Sequence, residues 1–222
     1  MSINTELRDT VESLLDGRFI CYVSAPDSFR QLNDPAFARQ VSEALAPLGR
    51  SLSCVGEADS PEAFFAAMIN LDDTRDQQHA RRSLTTIRDQ IAPCIDFFRL
   101  LDQAGGNNLS LVAGGELPFA KLLDAIESHE PYRDQLRDLS GLKLFDSSRN
   151  AKDSGDRLNR VLKVMQDEGY LVRRASESSV YVFTGKLAYL QQILGWLADH
   201  HDCAIDETNH DGASSTQGGL GL

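Results

Sequence analysis

The sequence lacks the features that mark membrane and secreted proteins. No apolar run in its 222 residues approaches the roughly 20 residues that a membrane-spanning helix requires. The N-terminal residues also lack the basic and apolar regions of a secretory signal. With 41% hydrophobic and 25% charged residues, the composition is that of an ordinary soluble globular protein. We therefore expect a cytoplasmic protein without a membrane-spanning segment.

Motifs of metal and cofactor chemistry are also scarce. The cysteines at positions 21, 54, 94 and 203 form no CxxC pair, which predicts reduced, mostly buried thiols rather than disulfides or a zinc site. Segment 200–203 (HHDC) has metal-type ligands, but no second cluster completes a tetrahedral site. Phosphate-binding loops, dinucleotide fingerprints and nucleophile elbows are absent. We expect no metal, no cofactor and no catalytic residues, and no motif supports an enzyme.

Basic residues are in deficit over the whole chain but not in every part of it. The chain has 22 Lys and Arg against 33 Asp and Glu, a formal net charge of −11, which disfavours nucleic-acid binding over the whole surface. Residues 143–175 contain eight basic and five acidic residues, a local charge of +3, whereas the residues before them carry −9 and those after them −5. Any contact with nucleic acid is therefore expected to be local.

The first 71 residues have the element pattern of a small helical domain with a β-hairpin. Periodic apolar residues predict helices, and runs of β-formers predict strands. The predicted helices are 5–15, 26–32 and 37–48, and the predicted strands are 18–24 and 51–55. Segment 64–71 is compatible with a strand or a helix start, and its place after a strand and a turn favours the strand. This order is typical of a winged helix.

The rest of the chain repeats a similar order after a long helical segment. Residues 73–101 keep a helical period, and Pro93 is expected to kink this helix or split it in two. Further helices are predicted at 118–126, 131–139, from 156 and at 187–197, strands at 170–174 and 180–184, and a short strand or extended segment at 109–112. Helix, hairpin and helix in this order end a winged helix, with the helix from Asp156 as recognition helix and the hairpin as wing.

The predicted fold class is mainly α with small β-hairpins, in the form of two tandem winged-helix domains joined by a long helical segment. The predicted divisions are an N-terminal winged helix at 1–71, a helical linker or dimerisation segment at 72–104, a C-terminal winged helix at 105–201 and a disordered tail at 202–222. The boundary after residue 104 rests on the sequence AGGNN, and the tail on its small polar composition.

The basic segment 143–175 supplies the candidate site. Lys and Arg on a recognition helix and wing suit contact with DNA phosphates, which carry no sequence information. A solvated amphipathic helix whose charges have no special role is an equally weighted interpretation. The candidate DNA-binding residues are Arg149, Lys152, Arg157, Arg160, Lys163, Arg173 and Arg174.

Several local strings resemble the MksE/MukE group, the kleisin-interacting tandem winged-helix subunits of bacterial condensin-like SMC complexes. They are residues 17–21 (GRFIC), 25–32 (APDSFRQL), 45–52 (LAPLGRSL), 87–93 (IRDQIAP) and the helix and hairpin at 158–183. The resemblance covers nearly everything except the tail and is closer to MksE than to MukE. Segment 62–67 (EAFFAA) departs from it, because it is poorer in β-formers than the expected wing.

The resemblance implies a non-catalytic accessory subunit. Such a protein forms a homodimer, binds an MksF-like kleisin, is connected to an MksB-like SMC ATPase through the kleisin, and contacts double-stranded DNA weakly and without sequence preference. Its role is chromosome organisation and segregation or plasmid restriction, and its location is the nucleoid. A stand-alone winged-helix transcriptional regulator is the alternative, and an uncharacterised enzyme with a pocket of convergent ionisable groups is a third interpretation.

Overall fold

The structure is a computed structural model that describes residues 3–57, 59–69, 74–106, 109–174 and 179–210. Residues 1–188 form one compact unit, and residues 189–222 form a second one. The described part is mainly helical with small antiparallel sheets, which confirms the predicted fold class at this level. No helix within the described ranges has the length and apolar content needed to cross a membrane.

The first half of the larger unit consists of three helices and a hairpin. The elements are α1 (Ile3–Leu15), α2 (Pro26–Leu32), α3 (Pro35–Leu45), a 3-10 turn (Ala46–Leu48), β1 (Arg50–Glu57) and β2 (Ser60–Met68). Proline is the first residue of both α2 and α3. Because an N–H at this position has no acceptor within the helix, its absence from proline breaks no helical hydrogen bond. Strands β1 and β2 are antiparallel, with Arg50 opposite Met68. The strand interpretation of the segment from Phe64 is thereby confirmed as far as Met68.

One prediction in this half is wrong: residues 18–24 do not form a strand. Only Ile20 pairs, in an isolated antiparallel bridge with Phe64, whose two N···O distances are 2.9 and 2.8 Å. The chain then turns, because the Ser24 hydroxyl donates to the Phe19 carbonyl at 2.8 Å and accepts from the Cys21 amide at 3.1 Å. These local bonds override the β-propensity of the segment.

A long helix, α4 (Thr74–Gly105), follows the hairpin. It is continuous, so the expected split at Pro93 does not occur, and the Pro93 ring is buried inside it. Helix α4 ends at Gly105, within the predicted AGGNN boundary. Its inner face contains Phe97, which is fully buried and lies 6.3 Å from Phe145, measured between ring centroids. Packing of this kind holds α4 against the second half of the unit.

The second half combines a three-stranded sheet with three helices. Its elements are β3 (Glu116–Pro118), α5 (Phe119–Ser128), α6 (Glu130–Gly141), a 3-10 segment (Lys143–Ser148), α7 (Ser154–Asp167), β4 (Leu171–Arg173) and β5 (Val180–Phe183). The sheet is antiparallel in the order β3-β5-β4, with Leu117 opposite Tyr181 and Val172 opposite Val182. The predicted extended segment at 109–112 contains no strand, since the strand that pairs with β5 begins only at Glu116.

Helix α8 (Lys186–His210) begins in the larger unit and continues into the smaller one. Its backbone extends past residue 197, where the sequence predicts its end, and into the segment predicted to be a tail. Residues 211–222 of that segment lie outside the described residues. Disorder of the final residues therefore stays a prediction, as does the division into four segments.

The two halves of the larger unit meet at Gly185, which precedes α8. The Gly185 amide donates to Cys21 Sγ at 3.3 Å. A Cβ atom at this position would lie 2.7 Å from Ala63 Cβ and 2.9 Å from the Glu62 carbonyl oxygen. The Tyr22 hydroxyl also donates to the Ala113 carbonyl at 2.6 Å. Close backbone approach thus fixes how the halves dock.

A partly buried cluster around Lys186 adds to this junction. Its ammonium donates to the Glu168 carbonyl and lies 4.6 Å from the centroid of Tyr170 and 6.0 Å from that of Phe19. Burial lowers the pKa of Lys186, an effect that the charge of Glu168 opposes. Burial also raises the pKa of the neighbouring Cys94 thiol from 9.0 to about 11.

We expect the stability of the protein to fall at alkaline pH because of the Cys94 thiol. Because its pKa is raised on folding, its contribution is fully present below about pH 9 and is lost as pH rises toward about 11. The loss is on the order of 2 kcal/mol. Cys94→Ala should remove this loss, measured by urea unfolding across that pH range. Lys186 acts in the opposite direction, since its lowered pKa raises stability as pH approaches 10.5. The charge of Cys94 raises the pKa of Lys186, so Cys94→Ala also changes this contribution.

Cys54→Ala is the matched control, because it removes a thiol from β1 and leaves Cys94 in place. It should keep the alkaline loss of the wild-type protein. Equal pH dependence in Cys94→Ala and wild type would contradict the assignment to Cys94.

Candidate nucleic-acid interface

Helix α7 is the central element of the basic segment. Asp153 caps it by accepting from the Asp156 amide at 2.7 Å, and Gly169, at φ +80°, allows the chain to leave it. Its inner face is anchored by four residues that are fully buried: Leu158, Val161, Leu162 and Met165. This anchoring leaves the opposite face of α7 to solvent and fixes the direction of its charged side chains.

The outer face of α7 carries two ion pairs rather than an unpaired row of cations. Asp156, Arg160, Lys163 and Asp167 follow each other at spacings of three or four residues, which places them on one face of a helix. Arg160 pairs with Asp156 at 2.9 Å, and Lys163 pairs with Asp167 at 2.7 Å. The four side chains therefore have no net charge.

Asp156 connects the start of α7 with the loop before it. Its carboxylate accepts from Arg160 through Nε at 3.0 Å and Nη2 at 2.9 Å, and from the Lys152 amide at 3.1 Å. The hydrogen bond from Arg160 and that from the Lys152 amide lower the pKa of Asp156. Arg160 also donates to the Ser147 carbonyl at 3.1 Å. The guanidinium is thus held by three bonds within the protein.

Two further candidate cations are paired with carboxylates outside α7. Arg149 lies 3.1 Å from Asp146 and donates to the Gly141 carbonyl at 3.1 Å. Arg174, directly after β4, pairs with Glu116 of β3. The side chains in these two pairs are about half exposed or more.

The remaining three candidates differ in exposure. Arg173 is exposed on β4 and lines a cleft of about 450 Å³ with Asp153, Asp156 and Asn159 of the α7 start. Lys152 is exposed in the loop that precedes α7. Arg157 is half-buried, and within the described residues its buried Nε has no hydrogen-bond partner. Arg157 therefore lies at the edge of the packed face and not on the open one.

The structure places several of the predicted residues near the start of α7, and it pairs several of them with carboxylates. The Lys152 backbone amide and the Arg160 guanidinium both donate to Asp156. Arg173 lines the cleft at the same helix start, and Lys163 follows along α7. We call the set Lys152, Arg160, Lys163, Arg173 and Arg174 the α7–hairpin surface, although Arg174 lies on the face of the sheet that carries Glu116 and not on the face of Arg173. The residue count of segment 143–175 includes Asp156 and Asp167, but it does not include Glu116. The spacing of Asp156 to Arg160 and of Lys163 to Asp167 signals their pairs in the sequence, whereas Glu116 has no such signal.

A second cavity, of about 630 Å³, bears on the enzyme interpretation. Its lining includes the ionisable residues Asp16, Arg18, Asp167, Glu168 and Lys186. Three of these are engaged in bonds that hold the fold: Asp167 with Lys163, Glu168 with the Gln90 amide at 2.8 Å, and Lys186 with the Glu168 carbonyl. The cavity thus contains ionisable groups without an arrangement of nucleophile, base and orienting group among the described bonds.

Metal ligation has no geometric basis in the described part of the chain, where no group of three His, Cys, Asp or Glu side chains is placed to hold an ion. The side chains of the HHDC segment, 200–203, lie outside the described residues. No family model and no curated protein matches this chain.

Proposed function

We propose that this protein is a non-catalytic, kleisin-binding subunit of a condensin-like SMC complex, of the MksE/MukE type. The observation that carries the proposal is a repeated strand arrangement in the larger unit. In the first half, Ile20 bridges β2, which pairs with β1. In the second half, β3 pairs with β5, which pairs with β4. In each half, the second strand of the hairpin thus pairs on one side with the first strand of the same hairpin. On its other side it pairs with a segment that comes earlier in the chain.

The helices around these strands support two tandem winged helices. Helices α2 and α3 lie between Ile20 and the first hairpin, and helices α5, α6 and α7 lie between β3 and the second. In a winged helix, the helix directly before the hairpin is the recognition helix and the hairpin is the wing. By this assignment α3 and α7 are the recognition helices, and α4 links the two domains.

The proposed partners follow from this assignment and from the resemblance of the sequence. The protein forms a homodimer, binds an MksF-like kleisin, and joins an MksB-like ATPase through it. Its role is chromosome organisation and segregation or plasmid restriction, in the cytoplasm and at the nucleoid. Co-purification of the protein from native cells with a kleisin-like protein tests the proposal, and failure to recover such a protein would overturn it.

Within this function, the α7–hairpin surface contacts the phosphates of double-stranded DNA weakly and without sequence preference. The double variant Lys163→Ala and Arg173→Ala should weaken binding by about tenfold and flatten its salt dependence, because two phosphate contacts are lost. Fluorescence anisotropy with a random-sequence duplex over a salt series measures both effects. We avoid Arg157, whose half-buried guanidinium belongs to the packing of α7.

The matched control is Arg8→Ala with Arg30→Ala. Both control residues are exposed arginines of the first half, in pairs with Glu12 and Asp27. The control variant removes two positive charges from the protein, as the test variant does. Equal weakening by both variants would reject a local DNA surface. Tight binding of one duplex over random DNA by roughly a thousandfold or more would instead favour the stand-alone regulator.

A further inference from the structure

We infer that the α7–hairpin surface is partly self-neutralised: Asp156, Asp167 and Glu116 pair with three of its five cations, Arg160, Lys163 and Arg174, and compete with DNA phosphates for them. This inference rests on the proposed function, because it concerns how the same surface meets DNA. It adds that three carboxylates set the strength of binding and that removing them tightens it.

The first support is the one-to-one pairing of cations and carboxylates. Arg160 is bound by Asp156 at 2.9 Å, Lys163 by Asp167 at 2.7 Å, and Arg174 by Glu116. Glu116 reaches Arg174 from β3, 58 residues earlier in the chain, so the pairing is not a by-product of helical spacing alone. Each of these cations therefore has a negatively charged partner in the position that a phosphate oxygen would take.

The second support is the exposure of two of the three pairs, since the side chains of Arg160 and Asp156 are only 39% and 28% exposed. The side chains of Lys163 and Asp167 are 64% and 62% exposed, and those of Arg174 and Glu116 are 64% and 47% exposed. Exposed ion pairs contribute little to stability and are screened by salt, so a polyanion with condensed counterions displaces them readily. The carboxylates then remain beside the bound phosphates and repel them.

The third support is that the cap and the apolar packing of α7 do not depend on the charge of these carboxylates. The cap of α7 is Asp153, not Asp156, and the inner face of α7 is held by apolar packing. Asp156→Asn keeps an oxygen that accepts from the Lys152 amide. Asparagine and glutamine at the three positions thus remove charge and retain shape.

The test compares the triple variant Asp156→Asn, Asp167→Asn and Glu116→Gln with wild type. The triple variant should bind a random-sequence duplex about tenfold more tightly and with a steeper salt dependence, because three cations become available to phosphates. The matched control is Asp27→Asn, Asp96→Asn and Asp134→Asn, which removes three carboxylates from exposed pairs elsewhere in the chain. The net charge of this control changes by the same amount as that of the triple variant. Because its carboxylates lie outside the α7–hairpin surface, its affinity for the duplex should rise much less.

The outcomes separate this inference from the proposed function. Suppose that the site and control triple variants bind DNA with equal affinity, while Lys163→Ala with Arg173→Ala still weakens binding. That result would overturn self-neutralisation but would agree with a DNA-binding role of the surface. No binding by any variant would overturn both. If the triple variant fails to fold, as judged by circular dichroism, the double variant Asp167→Asn and Glu116→Gln is tested in the same way, with a gain of about threefold to fivefold expected.

Discussion

Gly185→Val should lower the free energy of unfolding by about 3 kcal/mol or more. The first carbon of a side chain at this position already lies 2.7 Å from Ala63 Cβ and 2.9 Å from a backbone oxygen, and neither atom is the movable end of a long side chain. Valine adds two methyl groups to this contact. Overpacking of this kind either shifts the backbone or separates the two halves at their junction. Thermal and urea unfolding followed by circular dichroism measure the loss.

Gly141→Ala is the control for this variant. Gly141 is the last residue of α6, and a Cβ added there meets no atom within 4 Å. Alanine should leave stability unchanged or raise it by up to about 1 kcal/mol, because it restricts the unfolded chain. A Gly185→Val protein as stable as wild type would mean that the two halves do not approach each other as closely as the structure has them.

Phe97→Ala should be the more damaging substitution, with a loss of about 3–5 kcal/mol. The Phe97 ring is fully buried in α4, 5.3 Å from the centroid of Phe98 and 6.3 Å from that of Phe145. Removing it leaves a cavity between α4 and the 3-10 segment that precedes α7. The same unfolding measurements apply, and a loss of that size would strongly reduce the folded fraction at physiological temperature.

Arg99→Ala is the control on the same helix. Arg99 is two residues away, is 62% exposed, and makes only an exposed pair with Asp96 among its described contacts. Its replacement should change stability by less than about 0.5 kcal/mol. Similar losses for the two variants would contradict the position of Phe97 in the core.

Local signals in the sequence are sufficient to place most helices, and non-local pairing explains the errors. Prolines and apolar spacing locate α2 at its observed bounds, because both act within a few residues. The strand expected at 18–24 reduces to a bridge, since its partner Phe64 lies in a distant strand and the serine at position 24 closes a turn first. Strand β3 was missed for a related reason: three residues form a strand only because β5 lies beside them.

The candidate surface shows the same division between local and distant information. The sequence identifies the basic segment and the amphipathic helix within it, because charge and periodicity are properties of neighbouring residues. It does not identify Glu116 as the partner of Arg174, since that contact depends on the pairing of β3 with β5. Nor does it identify the half-burial of Arg157, which depends on the elements packed around α7. A local charge of +3 therefore overstates the cations available to a phosphate.

The most direct test of the central proposal is complex formation with a kleisin. The purified protein is mixed with a kleisin-like protein from the same cells, and the mixture is analysed by size-exclusion chromatography with light scattering and by calorimetry. We predict a stable complex that contains two copies of this chain and forms without nucleotide or DNA. A protein that elutes alone and releases no heat on mixing would contradict the proposal.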